Sequence, residues 1–112
     1  MTGDTGEAEL LRGLRRDYLA ESAERMAELQ GDLARLRGGA ADAVAALKVR
    51  LHRLAGSGGS YGFPEVSAIA REAELWLGGG PAPETIVARM EEAVARLEAE
   101  FERARTAVNG KQ

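Results

Sequence analysis

The sequence predicts an all-α protein, an up-and-down antiparallel four-helix bundle, and three observations carry that reading. Apolar residues recur at steps of three and four in every long stretch of the chain and nowhere alternate with a period of two. Aromatic residues are only 4% of the chain while 45% of it is apolar, so the core must come from aliphatic side chains packed between helices rather than from a sheet sandwich. The glycines and prolines that punctuate the patterned stretches, at Gly38-Gly39, Gly62 with Pro64, and Gly78 to Pro81, supply tight turns between long amphipathic segments.

Met1 to Gly6 is small and polar and is expected to be a flexible start to a bundle spanning residues 7–108, with a flexible end at residues 109–112. From Glu7 to Arg37 a seam runs through Leu11, Leu14, Tyr18, Ser22, Met26, Leu29, Leu33 and Leu36. Gly13 interrupts the pattern at a cost of about 1 kcal/mol relative to Ala and is a candidate break that would set off a short extra N-terminal helix. Gly38-Gly39 ends this segment, and Asp42 can cap the next.

The second segment carries Val44, Leu47, Leu51 and Leu54 on one face. Propensity alone would stop it at Gly56, because Gly58 and Gly59 each add a similar penalty. Pro64 suits the first turn of a third helix reaching about Leu77, which buries Val66, Ile69, Ala70, Ala73 and either Trp76 or Leu77. After Gly78-Gly79-Gly80-Pro81, a fourth helix opens at Pro83 and presents Ile86, Met90, Ala93 or Val94, Leu97, Phe101, Ala104 and Val108 before Asn109-Gly110 ends it.

Length and charge exclude several function classes. A chain of 112 residues is one domain with room for a single core. With no cysteine it has no disulfide, thiolate metal site or thiol nucleophile, and with no leader pattern and no long apolar run it is expected to be cytoplasmic and off the membrane. A net charge of −3 argues against nucleic acid as a partner. The glycine-rich run from Gly56 to Gly62 lacks the Gly-Lys-Ser/Thr ending of a phosphate loop and no strand precedes it. One histidine and scattered helix-face carboxylates give no metal site, so none is expected.

Chemistry concentrates at that histidine, His52. On a helical wheel the apolar face of its helix is centred roughly 120° away from it. The residues within about 60° of it are Ala45, Lys48, Val49, Ala55, Gly56 and Gly59. An imidazole flanked by small residues stands open to a macromolecular partner, and its unprotonated nitrogen is a nucleophile near neutral pH. Between Ala43 and Pro64 the chain carries Lys48, Arg50 and Arg53 and no acid, a local field that favours an incoming anion such as phosphate.

The run His52-Arg53-Leu54-Ala55-Gly56-Ser57, followed by Gly62 and Phe63, resembles the signature of histidine-containing phosphotransfer (HPt) domains, which relay phosphoryl groups in two-component signalling. The resemblance makes His52 the phosphoacceptor, Leu54 an inward residue, Gly56 the small residue beside the ring, and Ser57, Gly62 and Glu74 downstream matches. It also extends the second helix to about Tyr61. Ala55 stands where most members of that family have a lysine that pairs with the phosphoryl group, and Lys48, one turn before His52, is the substitute cation the spacing offers.

What the resemblance implies is a carrier and not a kinase. His52 would take a phosphoryl group from the aspartate of a response-regulator receiver domain and pass it to another receiver, with a hybrid histidine kinase as a further partner. Docking would use Ala45, Val49, Arg53 and Gly59. The chain would need no cofactor, because Mg²⁺ belongs to the receiver. The competing reading is a helical adaptor or dimerisation module whose site has decayed, to which the Ala55 departure points.

Overall fold

The computed structural model of the chain describes residues 2–109. Helices α1 (Thr2–Ala20), α2 (Ser22–Arg37), α3 (Ala43–Ser60), α4 (Pro64–Gly78) and α5 (Pro83–Asn109) take up nearly all of them, and there is no strand among the described residues. Helices α1 and α2 form one rod interrupted at Glu21, whose backbone stays near helical values (φ −85, ψ −6). The i→i−4 ladder runs on through Glu21 N–H to Asp17 C=O and Arg25 N–H to Glu21 C=O. Counting that rod once, the architecture is the expected all-α four-helix bundle. Around it α2, α3, α4 and α5 each touch the next, α5 closes back on α2, and α1 rests against α2 and α5.

The break in the first segment therefore falls at Glu21 and not at Gly13, and the leading helix is not short: α1 has 19 residues and starts at Thr2. Gly13 sits inside α1 with nothing near the place of its absent Cβ, so its backbone is free to stay helical. At the actual break Ser22, fully buried, donates its hydroxyl to the Leu19 carbonyl at 2.6 Å. The N-terminal part of the seam also departs from expectation, since Leu11 and Leu14 are 52% and 40% exposed. They sit on α1 before the point, at Tyr18 and Leu19, where the helix becomes buried. The expectation for Gly110 to Gln112 lies outside the described residues.

The core is otherwise the predicted one. Leu29, Leu33, Leu47, Leu51, Met90, Leu97 and Phe101 are essentially inaccessible, Leu77 rather than Trp76 takes the inner position on α4, and Ala93 and Val94 of α5 are both buried. One buried charge ties α2 to α3: the Asp32 carboxylate, 4% exposed, accepts from Arg35 at 3.1 Å and from Arg50. Asp42 precedes α3 without capping it through its side chain. Its carboxylate pairs instead with Arg35, whose hydrogen bond holds it below the usual carboxylate range.

The α3–α4 turn sets the register between those two helices. Helix α3 ends in a Schellman motif, with Phe63 N–H bonded to Gly58 C=O at 2.7 Å and Gly62 N–H to Gly59 C=O at 3.2 Å. Gly62 takes φ +85, where a side chain would be strained, and a Cβ there would lie 2.7 Å from the Arg15 guanidinium. Arg15 in turn donates to the Tyr61 carbonyl at 3.1 Å. Tyr18 stacks on Tyr61 (centroids 4.7 Å apart) and Phe63 (5.6 Å) and shares a 2.7 Å hydrogen bond with the Ser57 hydroxyl. These contacts from α1 hold α3 helical through its glycines as far as Ser60, four residues beyond the stop that propensity alone would set.

Candidate functional site

Helix α3 presents His52 on its open side while Leu47, Leu51 and Leu54 bury the other. The imidazole side chain is 76% exposed, and its Nδ1 lies 3.0 Å from Glu74 Oε2 on α4. A carboxylate only accepts, so this contact places the ring proton on Nδ1 and leaves the lone pair on Nε2, which has no hydrogen-bond partner among the described residues. The geometry is that of an oriented nucleophile: one ring nitrogen anchored, the other free at the surface.

The surroundings are small, as the wheel predicts. Ala45, Lys48, Gly56 and Gly59 are exposed, Val49 is 48% exposed, and a Cβ on Gly56 would meet nothing within 4 Å. No carboxylate lies within ion-pairing distance of Lys48 among the described residues. Arg53 is exposed as well but stands on the far side of the ring from α4, bordering a cleft between α2 and α3 with Arg25 and Arg50.

Ala55 requires a correction. It does not belong to the open face: it is 4% exposed and part of the core, and its carbonyl accepts a 2.7 Å hydrogen bond from Ser67 of α4. The cause is the adjacent Gly58, where a Cβ would lie 3.0 Å from Val66 Cγ1 and 3.1 Å from Ser67 N. That missing side chain lets α4 close over the edge of α3 that carries Ala55.

The partnership of Glu74 with His52 is what residue spacing on one helix could not reveal. Its signal lies in the turn: in an antiparallel hairpin reversing at Gly62, His52 is ten residues before the turn and Glu74 twelve after it, so the two sit side by side.

The family model of the Hpt domain matches residues 13–107. The chain belongs to the Hpt-domain family. Hpt domains are phosphorelay histidine carriers, phosphotransfer proteins rather than kinases, built as helical bundles that meet receiver domains and histidine kinases. No curated protein and no solved structure matches this chain. In this Hpt domain no described helix is long and apolar enough to cross a membrane, and no group of three or more potential ligand residues among the described ones could hold a metal ion.

Proposed function

We propose that His52 is the phosphoacceptor of a phosphorelay, taking the group from a receiver-domain aspartate and handing it to a second receiver. The observation that carries this reading is the open imidazole anchored through Nδ1 to Glu74, with bare Gly56 beside it. Nε2 attacks the phosphorus of the acyl phosphate. The N–P bond forms as the P–O bond to the aspartate breaks, and the aspartate leaves as a carboxylate. The imidazole gains positive charge in this step, and Glu74 stabilises it through the Nδ1–H that never leaves the ring. Return transfer runs the same bonds backwards: an aspartate oxygen attacks phosphorus, the N–P bond breaks, and the ring returns neutral.

Mg²⁺ and the acidic pocket are the receiver's, so the chemistry asked of this chain is a lone pair, an orientation and a surface for docking. Docking would use Ala45, Val49 and Gly59 around the ring, with Arg53 on its flank. The work would be done in the cytoplasm, and a hybrid histidine kinase carrying its own receiver is a natural upstream donor. The test is transfer of label from phosphorylated receivers. Wild type should acquire one acid-labile, base-stable phosphoryl group and His52→Gln none, with a melting temperature nearly unchanged because surface substitutions usually stay within about 0.5 kcal/mol. Labelling that survives the substitution refutes the assignment, and no labelling of wild type by any receiver favours an adaptor bundle.

A further inference from the structure

A phosphoryl group on Nε2 would sit within an imidazole's width of the Glu74 carboxylate, and two anions so placed repel unless a cation stands between or beside them. We propose that Arg71 of α4 is that cation, and that α3 and α4 together form the phosphoryl-holding site, an inference that rests on His52 being the acceptor. The placement follows from the hairpin's register. Ser67 bonds the Ala55 carbonyl at 2.7 Å and lies 3.6 Å from where a Gly59 Cβ would be, while Glu74 bonds His52 at 3.0 Å. Arg71 is four residues after Ser67 and three before Glu74, so it lies on the same α3-facing edge of α4, one turn from each. The α3 residue between Gly59 and His52 on that edge is Ala55, buried under Ser67, and next to it on the open side is Gly56, exposed and with open space where its side chain would be.

Arg71 is exposed, and no carboxylate pairs with it among the described residues; the neighbouring Glu72 is engaged by Arg96 at 3.2 Å. Its guanidinium fork matches two phosphoryl oxygens at once, which an ammonium cannot do. The other local cations are less well placed. Lys48 lies one turn along α3 in the opposite direction from Gly56, and Arg53 borders the α2–α3 cleft on the side away from Glu74.

The test uses phosphoramidate, a small phosphoryl donor that needs no receiver, followed by ³¹P NMR titration of the phosphohistidine. Removing the guanidinium should raise the pH at which the phosphoryl group passes from monoanion to dianion, by up to about 0.7 pH unit for Arg71→Ala if the pair has the strength of an exposed ion pair. Arg71→Lys should fall between Arg71→Ala and wild type, and added salt should shrink the differences. A titration of Arg71→Ala that coincides with wild type overturns the proposal while leaving His52 as the acceptor. An Arg71-dependent titration in a protein that exchanges label with no receiver upholds the site and refutes the relay. Failure of phosphoramidate to label His52 in wild type refutes both.

Discussion

The Glu74 carboxylate of α4 lies 3.0 Å from the Nδ1 of His52 on α3, so the imidazole is oriented from a different helix than the one that carries it. Two variants separate its two contributions. Glu74→Gln keeps an acceptor for Nδ1–H and loses the charge; Glu74→Ala loses both. Because the histidine is largely exposed, the bond is worth about 1 kcal/mol, so stopped-flow phosphotransfer should slow by about fivefold in Glu74→Ala and less in Glu74→Gln. Equal rates in all three proteins would mean the ring needs no anchor.

Gly56 and Gly58 are two residues apart and should respond in opposite ways. A Cβ at Gly56 meets nothing within 4 Å, so Gly56→Leu should fold normally and block label transfer by filling the space beside the imidazole. Gly58→Ala puts a methyl 3.0 Å from Val66 Cγ1 and 3.1 Å from the Ser67 amide. Overpacking of this kind costs about 1–3 kcal/mol, partly offset by the roughly 1 kcal/mol helix preference of Ala over Gly. Thermal melts and transfer rates on the same two samples check both halves.

Lys48 should tune transfer rather than permit it. An exposed ion pair contributes about 0.2–1 kcal/mol, so Lys48→Ala should slow transfer by at most roughly fivefold, and by less at high salt. Ala55→Lys should not act as a gain of charge at the site. With Ala55 buried under Ser67, the longer side chain must force its way out between α3 and α4, and a melting temperature lowered by several degrees is expected. A variant as stable as wild type with faster transfer would show that the edge of α3 opens more readily than its packing implies.

Tyr18 gives a pH signature. Burial pushes its phenol above the ordinary 10.0, outweighing the Ser57 hydrogen bond and the Arg25 charge, both of which lower it. A group whose pKa is higher folded than unfolded favours the native state below the unfolded value, and that contribution disappears as pH rises from there through the folded value. Tyr18→Phe keeps the stacking on Tyr61 and Phe63, loses about 1 kcal/mol with the hydrogen bond near neutral pH, and should show a flatter fall in urea stability above pH about 10. An alkaline decline as steep as that of wild type would assign it to another group.

Periodicity carried most of the fold, because the leucines of α3 and the apolar positions of α4 and α5 each define a face that only a helix can make. His52 was legible as an exposed ring for the same reason. A wheel describes one helix, however, and says nothing about how far a neighbour reaches over its edge. Ala55, about 60° from His52, fell on the open side by angle and on the closed side once Gly58 admitted α4. Leu11 and Leu14 mark the complementary failure: their spacing is that of a buried seam, but spacing cannot show where along α1 the burial starts.

The reversal at Gly62 has a kinetic consequence. Lys48, His52, Gly56, Arg71 and Glu74 all lie in one helical hairpin, so the contacts that assemble the candidate site join residues close in sequence, and their loop-closure entropy is small. The candidate site's geometry can therefore form before α5, the last helix, is in place, and substitutions along the outer faces of α1 and α5 can retune the molecule's lifetime or solubility while these five residues keep their spacing.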